Sequence, residues 1–269
     1  VLPQAILREV TGQRQVQRVL CDDDRKERGM TGNDKGLTVR IVVIGLAIAV
    51  VGAGALIAWR VFGGKEPGTA TLSSPADSGT ASGAVDFEGA WTIDPETGSL
   101  EDGTSTFAGY RIEEELGGIG TNTAVGRTRN ISGTLNVEGT QVTSLEVTVD
   151  MTTLASDDER RDGQLADRGL ETDMFPQATF VLTEPVEIGN EPAIGEPVSA
   201  TVTGELTLHG VSRQIEVPIQ AQWTGERIEV VASFEVTLLD YDIEAPVGFL
   251  VLSIADTGTV EMHVLFRKA

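Results

Sequence analysis

Between Ala200 and Ile219 apolar and polar residues alternate on both sides of the pair His209-Gly210. A strand sends successive side chains to opposite faces, so this period of two, broken by a Gly-containing pair, predicts a β-hairpin with a two-residue turn. With His209 and Gly210 in the turn, Leu208 faces Val211, Gly204 faces Ile215, Val202 faces Val217 and Ala200 faces Ile219. That register gathers the apolar side chains on one face and puts Thr201, Thr203, Glu205, Gln214 and Glu216 on the other. A slip of one residue would turn both faces over, so the register is tightly specified. Arg213, opposite Leu206, is the exception, a charge on the apolar side beside the turn.

The same alternation recurs in Leu145, Val147, Val149 and Met151, in Ile228 to Val236, and in Val260 to Phe266. Strands are expected near 90–94, 106–114, 130–138, 142–151, 178–187, 199–209, 213–223, 227–238 and 257–267. Successive long hairpins favour an all-β, antiparallel, lipocalin-like barrel of about eight strands, because closure removes exposed edges; a β-sandwich is the alternative. One helical insertion interrupts the pattern. Ser156 and Glu159 have capping-box spacing and Gly169 is placed to end the helix. Arg160, Arg161, Asp162 and Asp167 then form either a solvated face or, through Arg161-Asp162, a latch to the barrel rim.

Several short motifs follow one another in order: Trp91-Thr92-Ile93-Asp94, Val149 to Leu154 with Arg161-Asp162 and Leu165, Glu171 to Phe180, and Gly204 to Arg213 with Leu208-His209-Gly210 at its centre. This ordered set, over roughly residues 89–269, resembles the YceI-like lipid/polyisoprenoid-binding family. The resemblance implies a barrel with a long apolar cavity, a lipid-carrying role and no established catalytic residues.

Ahead of the barrel the composition changes twice. Ile41 to Trp59 carries no charge and is long enough to cross about 30 Å of hydrocarbon as a helix. It is read as a single transmembrane anchor over 41–62. A cleavable signal peptide is the competing reading, but its apolar core spans only about 7–15 residues and no A-x-A site follows here. Arg25, Lys26, Arg28, Lys35 and Arg40 precede the run and only Arg60 and Lys65 closely follow it. That bias places the N-terminus, residues 1–40, in the cytoplasm without a fold of its own and the barrel outside the plasma membrane. Residues 63–88, rich in Gly, Ser, Thr and Ala up to residue 84, read as a flexible linker, and 89–269 as the barrel domain.

Charge and residue counts narrow the functions. A net charge of -21 argues against nucleic acid as a partner. Two histidines and one cysteine, Cys21, cannot build the usual zinc cluster, and no cofactor is expected. His209 at a turn and His263 on an outward strand face have no nucleophile motif beside them, so the chain is read as a non-enzyme. Gly117-Gly118-Ile119-Gly120 lacks the following helix that a phosphate loop needs and is read as a loop or strand break. The candidate cavity lining is Tyr110, Val149, Phe180, Ala200, Val202, Leu206, Val217, Ala221, Val230, Ala232 and Phe234, with small residues leaving room for a slender ligand. Arg127 and Arg213 are candidate head-group contacts, and Phe249 and Leu250 candidate portal residues. Three readings stay open: a carrier of an isoprenoid or other long-chain lipid, a structural or interaction module of the cell envelope with a filled interior, and an enzyme acting on envelope lipids.

Overall fold

The computed structural model describes residues 67–73, 85–248 and 251–269. Its strands are β1 (Gly89–Ile93), β2 (Phe107–Leu116), β3 (Gly120–Thr128), β4 (Ile131–Glu138), β5 (Gln141–Asp150), β6 (Gln177–Leu182), β7 (Val186–Glu187), β8 (Val198–Leu208), β9 (Val211–Trp223), β10 (Arg227–Thr237), β11 (Val251–Ile254) and β12 (Thr257–Lys268). Neighbours run β1-β4-β5-β6-β8-β9-β10-β12, and β12 pairs back onto β1, so eight strands close a ring. β12 pairs with β10 along one edge and is long enough to serve two partners along the other. Its end pairs with β1 from Ile93↔Phe266 to Trp91↔Lys268, and Thr259–His263 pairs with β2, which β3 flanks in turn. The β2–β3 hairpin thus carries the wall upward beyond the end of β1, and β11 adds to the tip of β2.

The central hairpin, β8 and β9, has the register its alternation predicts, with Ala200↔Ile219, Val202↔Val217, Gly204↔Ile215, Leu206↔Arg213 and Leu208↔Val211. His209 (φ 49°) and Gly210 (φ 74°) both occupy the left-handed region, as a two-residue turn matching strand twist requires. Gly210 is required a second time, because a Cβ there would sit 2.6 Å from the Phe175 ring.

Three strands differ from expectation. The stretch 178–187 is two strands, β6 and β7, and both β3 and β11 are additional. β3 carries no row of large apolar residues. Its inward positions are Ala124 and Gly126, and the facing Tyr110 ring fills the space above Gly126, where a Cβ would lie 2.4 Å from Cε1. A strand whose neighbour supplies the bulk leaves little hydrophobic period in its own sequence. Gly117 to Ile119 is the turn between β2 and β3, with Gly118 at φ 79°, and Gly120 opens β3.

The helical insertion is α1 (Glu159–Gln164), continued by a wider turn over Leu165–Gly169. Its N-cap is Asp158, which accepts from the Arg160 amide at 2.9 Å, and not the expected Ser156. Ser156 instead donates its amide and hydroxyl to Asp162, which closes the approach to the helix. Arg161 is a latch: its Nη2 lies 2.7 Å from Glu114 Oε1 on β2, while Nη1 holds Asp157. Arg160 and Asp167, both exposed, answer to a solvated face.

The lower end of the barrel is filled. Phe87 and Trp223 meet at 5.6 Å between ring centroids, fully buried Trp91 packs in the same cluster, and the Lys268 ammonium lies over the Trp91 ring. Burying aromatic rings of this size is the largest single apolar contribution available to the fold. Within the stretch read as linker, Val85 donates its amide to the Gly225 carbonyl and Pro67–Ser73 contacts the outer wall. Residues 1–40, the expected membrane span 41–62, the rest of the linker apart from 85–88, and Phe249 and Leu250 lie outside the described residues. Among the described residues no helix is long and apolar enough to cross a membrane.

Candidate functional site: an apolar barrel cavity

Above the aromatic floor the inward rows of the barrel do not meet, and they leave a cavity of about 560 Å³. That lies within the range of ligand pockets, about 300–1,000 Å³. Tyr110 on β2, Val149 on β5 and Phe180 on β6 line one side. Ala200, Val202 and Leu206 on β8, Val217 and Ala221 on β9, and Val230, Ala232 and Phe234 on β10 line the other, so all eleven candidate lining residues stand on the wall. The space exists because of residue size. An eight-stranded barrel is just wide enough for ordinary side chains to fill it, and the alanines at 200, 221 and 232 fall short of that. Where bulk is present, it is matched by its absence opposite: the Phe180 ring lies over Gly204, whose Cβ would be 2.3 Å from Cζ.

The upper end is lined by segments that the strand pattern does not reveal: Leu165 and Leu170 from the insertion, together with Ile243, Ala245 and Pro246 from the segment after β10. Phe87 and Trp223 form the floor. Trp223 shares the inward parity of Ala221 and was readable from β9, whereas Phe87 lies in the stretch read as linker.

Charged lining residues are confined to the upper rim: Glu114, Asp158, Arg160 and Arg161. Burial disfavours the Arg161 guanidinium, but hydrogen bonds to Asp157 and Glu114 more than offset this and hold it charged. Burial pushes the Tyr110 phenol well above its ordinary range, with the Arg161 charge only partly opposing. Its hydroxyl is buried and has no hydrogen-bond partner among the described residues. The site is therefore a greasy shaft with ion-paired charges at one rim, a shape suited to holding a hydrocarbon chain rather than to moving protons.

The four candidate head-group and portal residues fare differently. Arg127 faces away from the cavity: it is buried on the outer wall and pairs with Glu261 at 2.7 Å. The reason is parity, since Ala124 and Gly126 take the inward positions of β3. Arg213 does not line the cavity either; half-exposed, it pairs with Asp240 and lies over the Tyr241 ring, fastening the turn after β10 to the β8–β9 turn. Phe249 and Leu250 are outside the described residues, although Gly248 and Val251 on either side line the cavity.

Neither histidine lies in the cavity wall. His209 Nδ1 donates to the Tyr241 carbonyl at 3.0 Å and Nε2 meets Glu171 at 3.1 Å. His263 is outward, as expected, but it is a buried residue and not a surface one. Its Nδ1 lies against the Ser105 carbonyl and its Nε2 against Glu229 Oε1, both at 2.7 Å. Each ring is committed to a carbonyl and a carboxylate, which leaves no nitrogen to activate a nucleophile. Among the described residues no group of His, Cys, Asp and Glu is placed to hold a metal ion.

The YceI-like domain matches residues 91–266. The chain belongs to the YceI-like family. A UPF0312 protein of Shewanella denitrificans is 28% identical over 146 residues, 51% of this chain and 73% of that protein. A UPF0312 protein of Vibrio parahaemolyticus is 30% identical over 145 residues, 49% of this chain and 71% of its own length. Among solved structures, a polyisoprenoid binding domain from Saccharophagus degradans, implicated in plant cell wall breakdown, superposes with a TM-score of 0.53 at 21% identity. The match covers 68% of this chain and 100% of that domain, and at that identity it establishes a shared fold.

Proposed function

We propose that this YceI-like protein binds and carries an isoprenoid or other long-chain lipid in the shaft of its barrel, without catalysing a reaction on it. The observation that carries the reading is the cavity: about 560 Å³, walled by aliphatic and aromatic side chains, with charges only at its upper rim. Each methylene drawn from water into such a wall contributes about 0.8 kcal/mol, so a chain of modest length is held firmly without any specific polar contact. The polyisoprenoid-binding description of the Saccharophagus domain supports the same ligand class. A side-chain-filled structural barrel would have no such void, and an envelope-lipid hydrolase would need a nucleophile and base in the wall.

The uncharged run Ile41–Trp59 and the basic residues ahead of it support a single-pass anchor with the barrel on the outer side of the plasma membrane. Lipid extraction tests the binding: the full-length chain, purified and denatured in organic solvent, should release a long-chain lipid near one per protein by mass spectrometry. Recovery of none, with no uptake of long-chain prenol or fatty acyl probes, would overturn it. Protease added to cells stripped of their wall tests the topology, and complete protection of the barrel would reverse it.

A further inference from the structure

The outer wall opposite the cavity carries a second set of buried polar groups. On five adjacent strands, outward positions bring together Arg127 (β3), Arg111 (β2), Glu261 and His263 (β12), Glu229 (β10) and Gln222 (β9). Glu261 binds both arginines, with Oε2 2.8 Å from Arg111 Nε and Oε1 2.7 Å from Arg127 Nη2. Glu229 binds His263 and Gln222. Outward carboxylates at the 1–2% exposure found here demand both partners and a cover.

The cover at each end is peptide. The Gly68 carbonyl accepts from Arg111 Nη2 at 2.9 Å and from Arg127 Nη2 at 2.5 Å. Five residues on, Ser73 donates its amide to Glu229 Oε1 at 2.8 Å and its hydroxyl to Glu229 Oε2 at 2.6 Å, and its own carbonyl accepts from Gln222. Guanidinium groups thus read a carbonyl at one end while a carboxylate reads an amide and a hydroxyl at the other. Along the segment Pro67, Gly68, Thr69, Thr71 and Ser73 are exposed, and Ala70 and Leu72 alone are partly buried. Charge-assisted bonds at two points must offset the entropy of ordering seven residues with little apolar burial to help, so docking is favoured by a modest margin and is releasable.

We infer that the outer wall is a peptide-docking groove, separate from the lipid cavity, and that Pro67–Ser73 of the same chain occupies it as a releasable strap. Docking divides the stretch 63–88 in two and fixes the point at which the barrel is tethered. Release frees the groove for another extended segment bearing a Ser at the Glu229 end.

Hydrogen exchange on the full-length chain, read by mass spectrometry, tests this. The Ser73 amide should exchange at least tenfold more slowly than an unstructured one. Ser73→Ala should lose most of that protection and raised salt should reduce it, with the barrel strands unchanged in both cases. Protection should not depend on protein concentration. A synthetic peptide of residues 67–73 should bind a Ser73→Pro chain, which lacks the amide donor and the hydroxyl, at least tenfold more tightly than the wild-type chain. Unprotected exchange at Ser73, protection indifferent to Ser73→Ala, or equal peptide binding by the two chains would overturn the strap. Protection lost on dilution would overturn the assignment to the same chain and point to a second copy.

Discussion

Ala221→Trp separates a ligand shaft from an ordinary core. Ala221 lies on β9 between Val198 and Val230, with its methyl on the cavity wall. An indole there displaces about five ligand carbons, and at about 0.8 kcal/mol for each this removes about 4 kcal/mol of binding. At 1.4 kcal/mol per tenfold, the loss is close to a thousandfold in Kd. The folded barrel should change by less than about 1 kcal/mol, because the ring enters existing space, whereas overpacking a filled core costs about 1–3 kcal/mol. The assay pairs titration of a fluorescent long-chain probe with urea unfolding, beside Thr201→Trp, an exposed outward position on the neighbouring β8. Unchanged probe affinity together with a stability loss above about 2 kcal/mol would refute the reasoning, since the indole would then be competing with side chains and not with ligand.

Gly126→Ala should destabilise by about 1–3 kcal/mol, because the added Cβ meets the Tyr110 ring at 2.4 Å and must drive it toward the cavity. Urea unfolding should show part of that loss recovered by Tyr110→Leu in the same background, and equal losses in both would count against the ring as the cause. Burial alone would raise the Glu229 carboxyl, yet hydrogen bonds from His263, Ser73 and Gln222 hold it at about 2 against an ordinary 4.5. Its contribution is therefore present above about pH 4.5 and is lost as pH falls through about 2. Glu229→Gln should be less stable at neutral pH and lose less stability between pH 4.5 and 2 in urea titrations, and an unaltered acid slope would remove Glu229 from the account.

The two sides of the barrel were unequally legible in the sequence, for a physical reason. Period-two alternation fixes which side chains share a face, so the β8–β9 register and all eleven lining positions could be placed from residues such as Val202, Val217 and Ala232 alone. It says nothing about what lies against a face. The outward parity of His263 was readable, but its burial depends on the loop carrying Ser105 and on a network that ends at Ser73, 190 residues away. Arg127 misled for the same reason: one of few cations in an acidic domain suggests a head group until Glu261, 134 residues on, is found beside it. A face that is polar by sequence and buried in the fold needs a partner from distant chain, and that partner is what local pattern leaves out. A row such as Glu229, Glu261 and His263, spread over two paired strands with alternating apolar neighbours, is therefore better read as a site awaiting a cover than as a solvated surface.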